Sequence, residues 1–131
     1  MNMDCEKLAH AIQSACPEAV FALLHGSAKD GHIKEGSDLD IALFLKSGST
    51  WDIYRSVYDA IQAVAGDVEP DLGILNNAEP VYCFEALKGS LLFCRDKEVY
   101  IDFFSKTCRR YEYQIADYER QHRYRLEAMK A

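Results

Sequence analysis

No stretch of this 131-residue chain approaches the ~20 consecutive apolar residues that a helix needs to cross a bilayer. Its first residues, Met1-Asn2-Met3-Asp4-Cys5-Glu6, lack the basic-then-apolar order of a secretory leader. A cytoplasmic protein with no membrane partner is expected. Cysteine occurs at five positions (Cys5, Cys16, Cys83, Cys94 and Cys108) but never as Cys-x-x-Cys. Such an odd, scattered set signals neither a disulfide framework nor a zinc site, and reads as buried or free thiols. Basic charge is also scarce: 15 Lys and Arg stand against 21 Asp and Glu, a net charge of -6. The clustered cations that grip a phosphate backbone are therefore lacking, which argues against direct nucleic-acid binding but leaves a metal-bound nucleotide open. Internal repeats and low-complexity segments are absent as well.

What remains is an ordinary globular composition, 49% apolar and 27% charged, with a mean hydropathy of -0.24. The length suits one compact domain, 1–131, divided into a body over 1–95 and a C-terminal helix over 96–131. Charge follows the same division: residues 1–98 carry a net -8 and residues 99–131 a net +2.

Periodicity outlines the elements. Asp4 caps a helix to about Ala15, with Leu8, Ile12 and Ala15 on one face, and Pro17 ends it. The run Ala19-Val20-Phe21-Ala22-Leu23-Leu24, closed by Gly26, suits a strand buried on both faces, and Leu39 to Leu45 a second strand. Thr50 caps a helix bearing Ile53, Val57, Ala60, Ile61 and Val64 at helical spacing, with Gly66 at its end. Val68 to Leu75 reads as a third strand, in which Pro70 points to an edge position or a bulge near its start. A helix opened by Pro80 and closed by Gly89, a strand over Ser90 to Cys94 and a long polar helix from near Asp96 complete the chain. The alternating order α-β-α-β-α-β-α-β-α implies a small sheet covered by helices, an α/β or α+β sandwich.

The chemistry gathers around the strand ends. Gly26-Ser27 follows the first strand, ten residues intervene, Asp38-Leu39-Asp40 opens the second strand, and Asp71 enters the third. Residues two apart on a strand share a face, so Asp38 and Asp40 project together. Like charges held side by side call for a cation, and carboxylate oxygens suit Mg²⁺ or Mn²⁺. With Asp71 as a third ligand, two ions ~3.5–4 Å apart can clamp the attacking and leaving oxygens of a phosphoryl-type displacement. Gly26 lets the backbone approach a phosphate closely, and Ser27 offers a hydroxyl and an N–H at the start of a short helix. His25 reads as a packing or hydrogen-bonding residue at the end of a buried strand. His32 and Lys34 read as solvated loop, and Asp67 and Glu69 as neighbours of Asp71.

These residues carry a resemblance. Gly26-Ser27, ten residues and Asp38-Leu39-Asp40 resemble the signature of the DNA polymerase β-like nucleotidyltransferases, with the first helix and Asp71 where that fold expects them. The short chain, its single leading helix and the Leu87-Lys88-Gly89-Ser90-Leu91-Leu92-Phe93 step are similar to the minimal nucleotidyltransferases, specifically MntA-type antitoxins paired with HEPN-domain toxins. The resemblance implies transfer of AMP from ATP to a tyrosine of a HEPN-domain RNase toxin, with release of pyrophosphate. It implies Asp38, Asp40 and Asp71 as catalytic metal ligands, Mg²⁺ as cofactor, ATP as co-substrate, and Gly26, Ser27 and Lys29 at the nucleotide phosphates. Where many members carry arginines, this chain has Ala28-Lys29-Asp30-Gly31, so Lys29 supplies the one positive charge and Asp30 replaces a cation. Two alternatives stay open: an antitoxin that acts by binding alone, and a transferase acting on a small molecule.

The tail bears a second signal. Phe104, Cys108, Tyr111, Ile115, Tyr118 and His122 recur at alternating spacings of four and three, the seam of a helix docked on another surface. A helix from about Lys97 to Leu126 spans ~45 Å, longer than a small domain is wide, so its distal half must leave the body. Tyrosine and arginine, both abundant there, are enriched at protein interfaces.

Overall fold

A computed structural model describes residues 3–32, 38–48, 50–66 and 68–130. The expected elements form, each from a local cause. Helix α1 (Cys5–Ala15) starts where the Asp4 carboxylate accepts the Lys7 N–H at 3.1 Å. Strand β1 (Ala19–His25) is buried along its whole length, as its unbroken apolar run requires. A single 3-10 turn over Gly26–Ala28 follows, and β2 (Leu39–Leu45) returns antiparallel to β1. Helix α2 (Trp51–Ala65) is capped by Thr50, whose hydroxyl accepts the Ile53 N–H at 3.3 Å, and ends at Gly66, where φ is +64°. Strand β3 (Pro70–Ile74), helix α3 (Pro80–Leu87) and strand β4 (Ser90–Cys94) lead into α4 (Lys97–Lys130). The Asp96 carboxylate accepts the N–H groups of Glu98 and Val99 at the start of α4.

The sheet runs in the order β3-β2-β1-β4, with β1 antiparallel to both its neighbours and β2 parallel to β3. The parallel pair follows from the α2 crossover, and the edge position of β3 accommodates Pro70, which has no N–H for a ladder. Alternate residues of the strands point to two layers. Leu24, Leu39, Ile41, Leu43 and Leu72 pack with Leu8 and Ile12 of α1 and Val57 and Ile61 of α2. Phe21, Leu23 and Ala42 pack with Cys83 and Ala86 of α3 and Phe103 of α4. Arg95 ties β4 to the end of α1: its guanidinium donates to the carbonyls of Gln13, Cys16 and Ala19 at 2.6, 3.0 and 2.5 Å.

The structure corrects two details. Strand β3 begins at Pro70 rather than Val68. Among the described residues, the helix expected between the first two strands is the one turn over Gly26–Ala28. Helix α4 turns Phe103 and Thr107 to the body, one position away from the seam read in the sequence, which lies to the side of that face: Phe104 is 43% exposed and Cys108 half-buried. The reason is an aromatic cluster in which Phe103 packs on Phe21 and Phe44, at ring separations of 5.5 and 5.2 Å, and so fixes the rotation of the helix. One turn beyond Thr107, Tyr111 stacks on Phe84 of α3 at 3.9 Å. From residue 112 to 130 the helix is exposed throughout, so its distal half does leave the body, and for 34 residues it extends ~51 Å.

Candidate active site

The sheet layer facing α3 and α4 ends in a group of polar side chains. His25 is the antiparallel partner of Asp40, and Asp40 is the parallel partner of Asp71. All three continue rows of face-alternating residues (Phe21 and Leu23; Ala42 and Phe44; Gly73) that belong to this layer. Register thus brings two of the three aspartates side by side, and Asp38, at the exposed approach to β2, adds its charge to the field at Asp40.

Partial burial, the largest influence, raises the Asp40 carboxyl above its ordinary value, which the His25 imidazole offsets in part. The charges of Asp71 and Asp38 and a hydrogen bond with the Asp71 carboxyl push it the same way as burial. The two carboxyls crowd one another across the β2–β3 pair, a repulsion that a bound cation would relieve. Burial also lowers the His25 imidazole below its ordinary range, against the pull of Asp40, Asp71 and Glu85. A buried neutral imidazole agrees with the packing role read for it, and its Nε2 lies 3.5 Å from the Tyr82 hydroxyl.

Gly26 belongs to the same site. Its φ of +70° is a left-handed value, and a Cβ placed there would lie 3.1 Å from Asp40 Cγ and overlap Oδ2 outright. The carboxylate therefore leans over the bare backbone of the turn that carries Ser27. Ser27 is exposed within that turn. Lys29 follows it and lines a surface hollow of about 350 Å³ with Cys5, Glu6, Asp30 and the start of β4. Its backbone carbonyl accepts the Ser90 hydroxyl.

Among the described residues, no three His, Cys, Asp or Glu side chains form a ready cage for a metal ion. The donor set nevertheless suits a hard cation: paired carboxylates, one of them partly buried, beside a glycine that keeps the approach clear. Glu69 is turned away from this centre and accepts the Tyr58 hydroxyl at 2.6 Å. Asp67 and Lys34 lie outside the described residues, and His32 is exposed, its N–H bonded to the Asp30 carboxylate at 3.0 Å. The residue that sequence reasoning passed over is Tyr82, whose burial holds its phenol up at about 12. Gly73, the bare position beneath Tyr82, was its signal, because an isolated glycine within a strand marks close approach by another group.

Residues 6–98 match the model of the Polymerase beta, Nucleotidyltransferase family, which spans the whole constellation from Gly26 to Asp71. The chain belongs to that family. Solved structures share its nucleotidyltransferase fold over nearly the full length. A chain of the toxin–antitoxin complex MntA–HpeT, in a double Asp→Glu variant, is 22% identical with a TM-score of 0.73, and the match covers 98% of this chain and 100% of that one. A toxin–antitoxin structure with AMP-PNP matches at 22% identity and a TM-score of 0.71, again over 98% and 100% of the two chains. The tri-AMPylated Shewanella oneidensis HEPN toxin in complex with its MNT antitoxin gives 21% identity and a TM-score of 0.66, over 97% of this chain and 96% of that one. Comparison with curated proteins gave no match. Within this nucleotidyltransferase fold the long terminal helix is part of the likeness, since the solved chains are covered almost end to end.

Proposed function

We propose that this nucleotidyltransferase is an antitoxin that moves AMP from ATP to a tyrosine hydroxyl of a HEPN-domain RNase toxin, silencing it. The observation that carries the reading is the register of β2 and β3, which sets Asp40 beside Asp71 over the bare backbone of Gly26. The likeness to a complex of a tri-AMPylated HEPN toxin with its MNT antitoxin, and to a toxin–antitoxin structure with AMP-PNP, supports the same substrate and partner. ATP is the co-substrate and the cytoplasm the setting. The catalytic unit is one domain over 1–131, with 96–131 as its partner-contacting helix.

Asp38, Asp40 and Asp71 would hold Mg²⁺, with Mn²⁺ an adequate substitute. When bound, the ions, two by the family resemblance, would supply charge neutralisation and would lower the pKa of the attacking hydroxyl. The chain's own residues do the rest. Gly26 admits the phosphates close to the backbone, Ser27 donates its hydroxyl and N–H to their oxygens, and Lys29 adds the positive charge of the loop. Asp71, the more exposed of the paired carboxyls, takes the proton of the incoming tyrosine as its oxygen attacks the α-phosphorus and pyrophosphate leaves. A second reading, neutralisation by binding alone, is favoured by one feature: the uncovered distal half of α4, a ready docking element whatever the chemistry. Labelled ATP incubated with Mg²⁺ and the protein encoded beside this one separates the two. Transfer lost in Asp40→Asn supports catalysis, whereas neutralisation that survives Asp40→Asn without any transfer supports binding.

A further inference from the structure

Asp40 is enclosed on three sides. Asp71 faces it across β3, Gly26 lies beneath its Oδ2, and His25 closes the third side from β1. Directly opposed residues of an antiparallel pair hold their Cβ atoms ~4.5–5.5 Å apart, so the imidazole flanks the carboxylate. His25 is itself braced. Tyr82 reaches over from α3, lays its ring across Gly73, and meets the imidazole edge to face at 5.6 Å and 83°.

Two glycines make this arrangement possible, and neither is needed for its backbone conformation. Gly73 and Gly89 are not among the positive-φ positions. A Cβ on Gly73 would lie 2.7 Å from Tyr82 Cζ and overlap the hydroxyl. A Cβ on Gly89 would lie 2.8 and 2.9 Å from His25 Cβ and Cα, and overlap the Leu24 carbonyl. The chain is thus stripped of side chains at the two points where Tyr82 and His25 must fit. His25 is only 9% exposed, too enclosed to serve as a substrate-binding group.

We infer that His25, braced by Tyr82, is a positioning residue that aims the Asp40 carboxylate at Asp71 and at the divalent cation the pair binds. The inference rests on the transferase reading above. The experiment compares wild type with His25→Phe, His25→Gln and Tyr82→Phe, each scored for Mn²⁺ binding by electron paramagnetic resonance, for kcat and KM toward ATP, and for Tm. In His25→Phe, which keeps the ring and removes its polar atoms, Mn²⁺ affinity and kcat should each fall about 10-fold while KM for ATP and Tm hold. Glutamine restores a polar atom at the position of Nε2 and should recover most of both. Tyr82→Phe retains the ring over Gly73 and should show a smaller loss in the same direction. Wild-type Mn²⁺ affinity and kcat in His25→Phe, or equal losses with phenylalanine and glutamine, would overturn the inference. Should His25→Phe fail to fold, Tyr82→Phe decides: wild-type values there overturn it equally. A wild type that neither binds Mn²⁺ nor transfers AMP would sink the transferase reading and this inference together, whereas an active wild type with indifferent variants sinks only the positioning role.

Discussion

Replacing Gly26 by alanine tests the site through a residue that has no side chain to contribute. The added methyl would overlap Asp40 Oδ2 and sit 3.1 Å from Cγ, and clearing that overlap moves the carboxylate by roughly 1 Å, a misplacement that can reduce turnover ~10²-fold. The backbone is affected separately. At φ +70° a non-glycine residue loses about 1–2 kcal/mol, and in a domain of this size that lowers Tm by roughly 4–8 °C. Gly26→Ala should therefore remain folded at 25 °C, with native circular dichroism, while transferring label from α-labelled ATP about 100-fold more slowly than wild type in single turnover. Gly66→Ala is the matched control, because it shares the left-handed φ, at +64°, but has nothing within 4 Å of its Cβ. It should lose similar stability and no activity. A Gly26→Ala protein that labels within threefold of wild type would refute the reasoning, as would an equal loss of activity in Gly66→Ala.

Asp71→Asn should abolish transfer yet leave the metal-free protein as stable as wild type or about 0.5–1 kcal/mol more so, because it removes a carboxyl crowded against Asp40; thermal melts in EDTA check the sign. Ser27→Ala should raise KM for ATP and slow transfer about 10- to 100-fold, the ~1.5–3 kcal/mol of one hydrogen bond to a charged oxygen, and unchanged ATP kinetics would reduce the Gly-Ser turn to a turn. Arg95→Met removes three hydrogen bonds to the end of α1 and the start of β1 and should destabilise by about 2 kcal/mol, less than their sum because the guanidinium is partly solvated, as urea melts would register. Truncation after Tyr111 should leave Tm nearly unchanged and remove toxin co-purification, and so should Tyr118→Ala in milder form, whereas Tyr111→Ala should lower Tm because that ring is stacked on Phe84.

The part of the candidate site that is local in sequence was legible there as a pattern. Gly-Ser at the end of one strand and Asp38-Leu39-Asp40 at the start of the next required only the period of a strand and the electrostatics of paired carboxylates. Asp71 required one further step, that β3 lies beside β2, which the parallel crossover through α2 makes natural. Tyr82 was hidden because its place depends on α3 lying across β3 and β1, a contact between elements that no spacing within either one expresses. The face that α4 turns to the body was not legible either. Phe103 and Phe104 are adjacent aromatics, and either gives a periodic apolar stripe. Only the stack of Phe21 and Phe44 on the sheet, at 5.2 Å, selects the first. Tyr111 then belongs partly to the body, and beyond it Tyr113, Ile115 and Tyr118 are exposed.

The central claim is AMP transfer by the aspartates at the β2–β3 edge, and its most direct measurement is intact-protein mass spectrometry of a HEPN-domain protein that co-purifies with this chain, after incubation with ATP and Mg²⁺. The account predicts mass increments of whole AMP units on a tyrosine, stoichiometric release of pyrophosphate, and loss of both with Asp40→Asn or with EDTA. An unmodified partner, or one modified equally by wild type and Asp40→Asn, would contradict it.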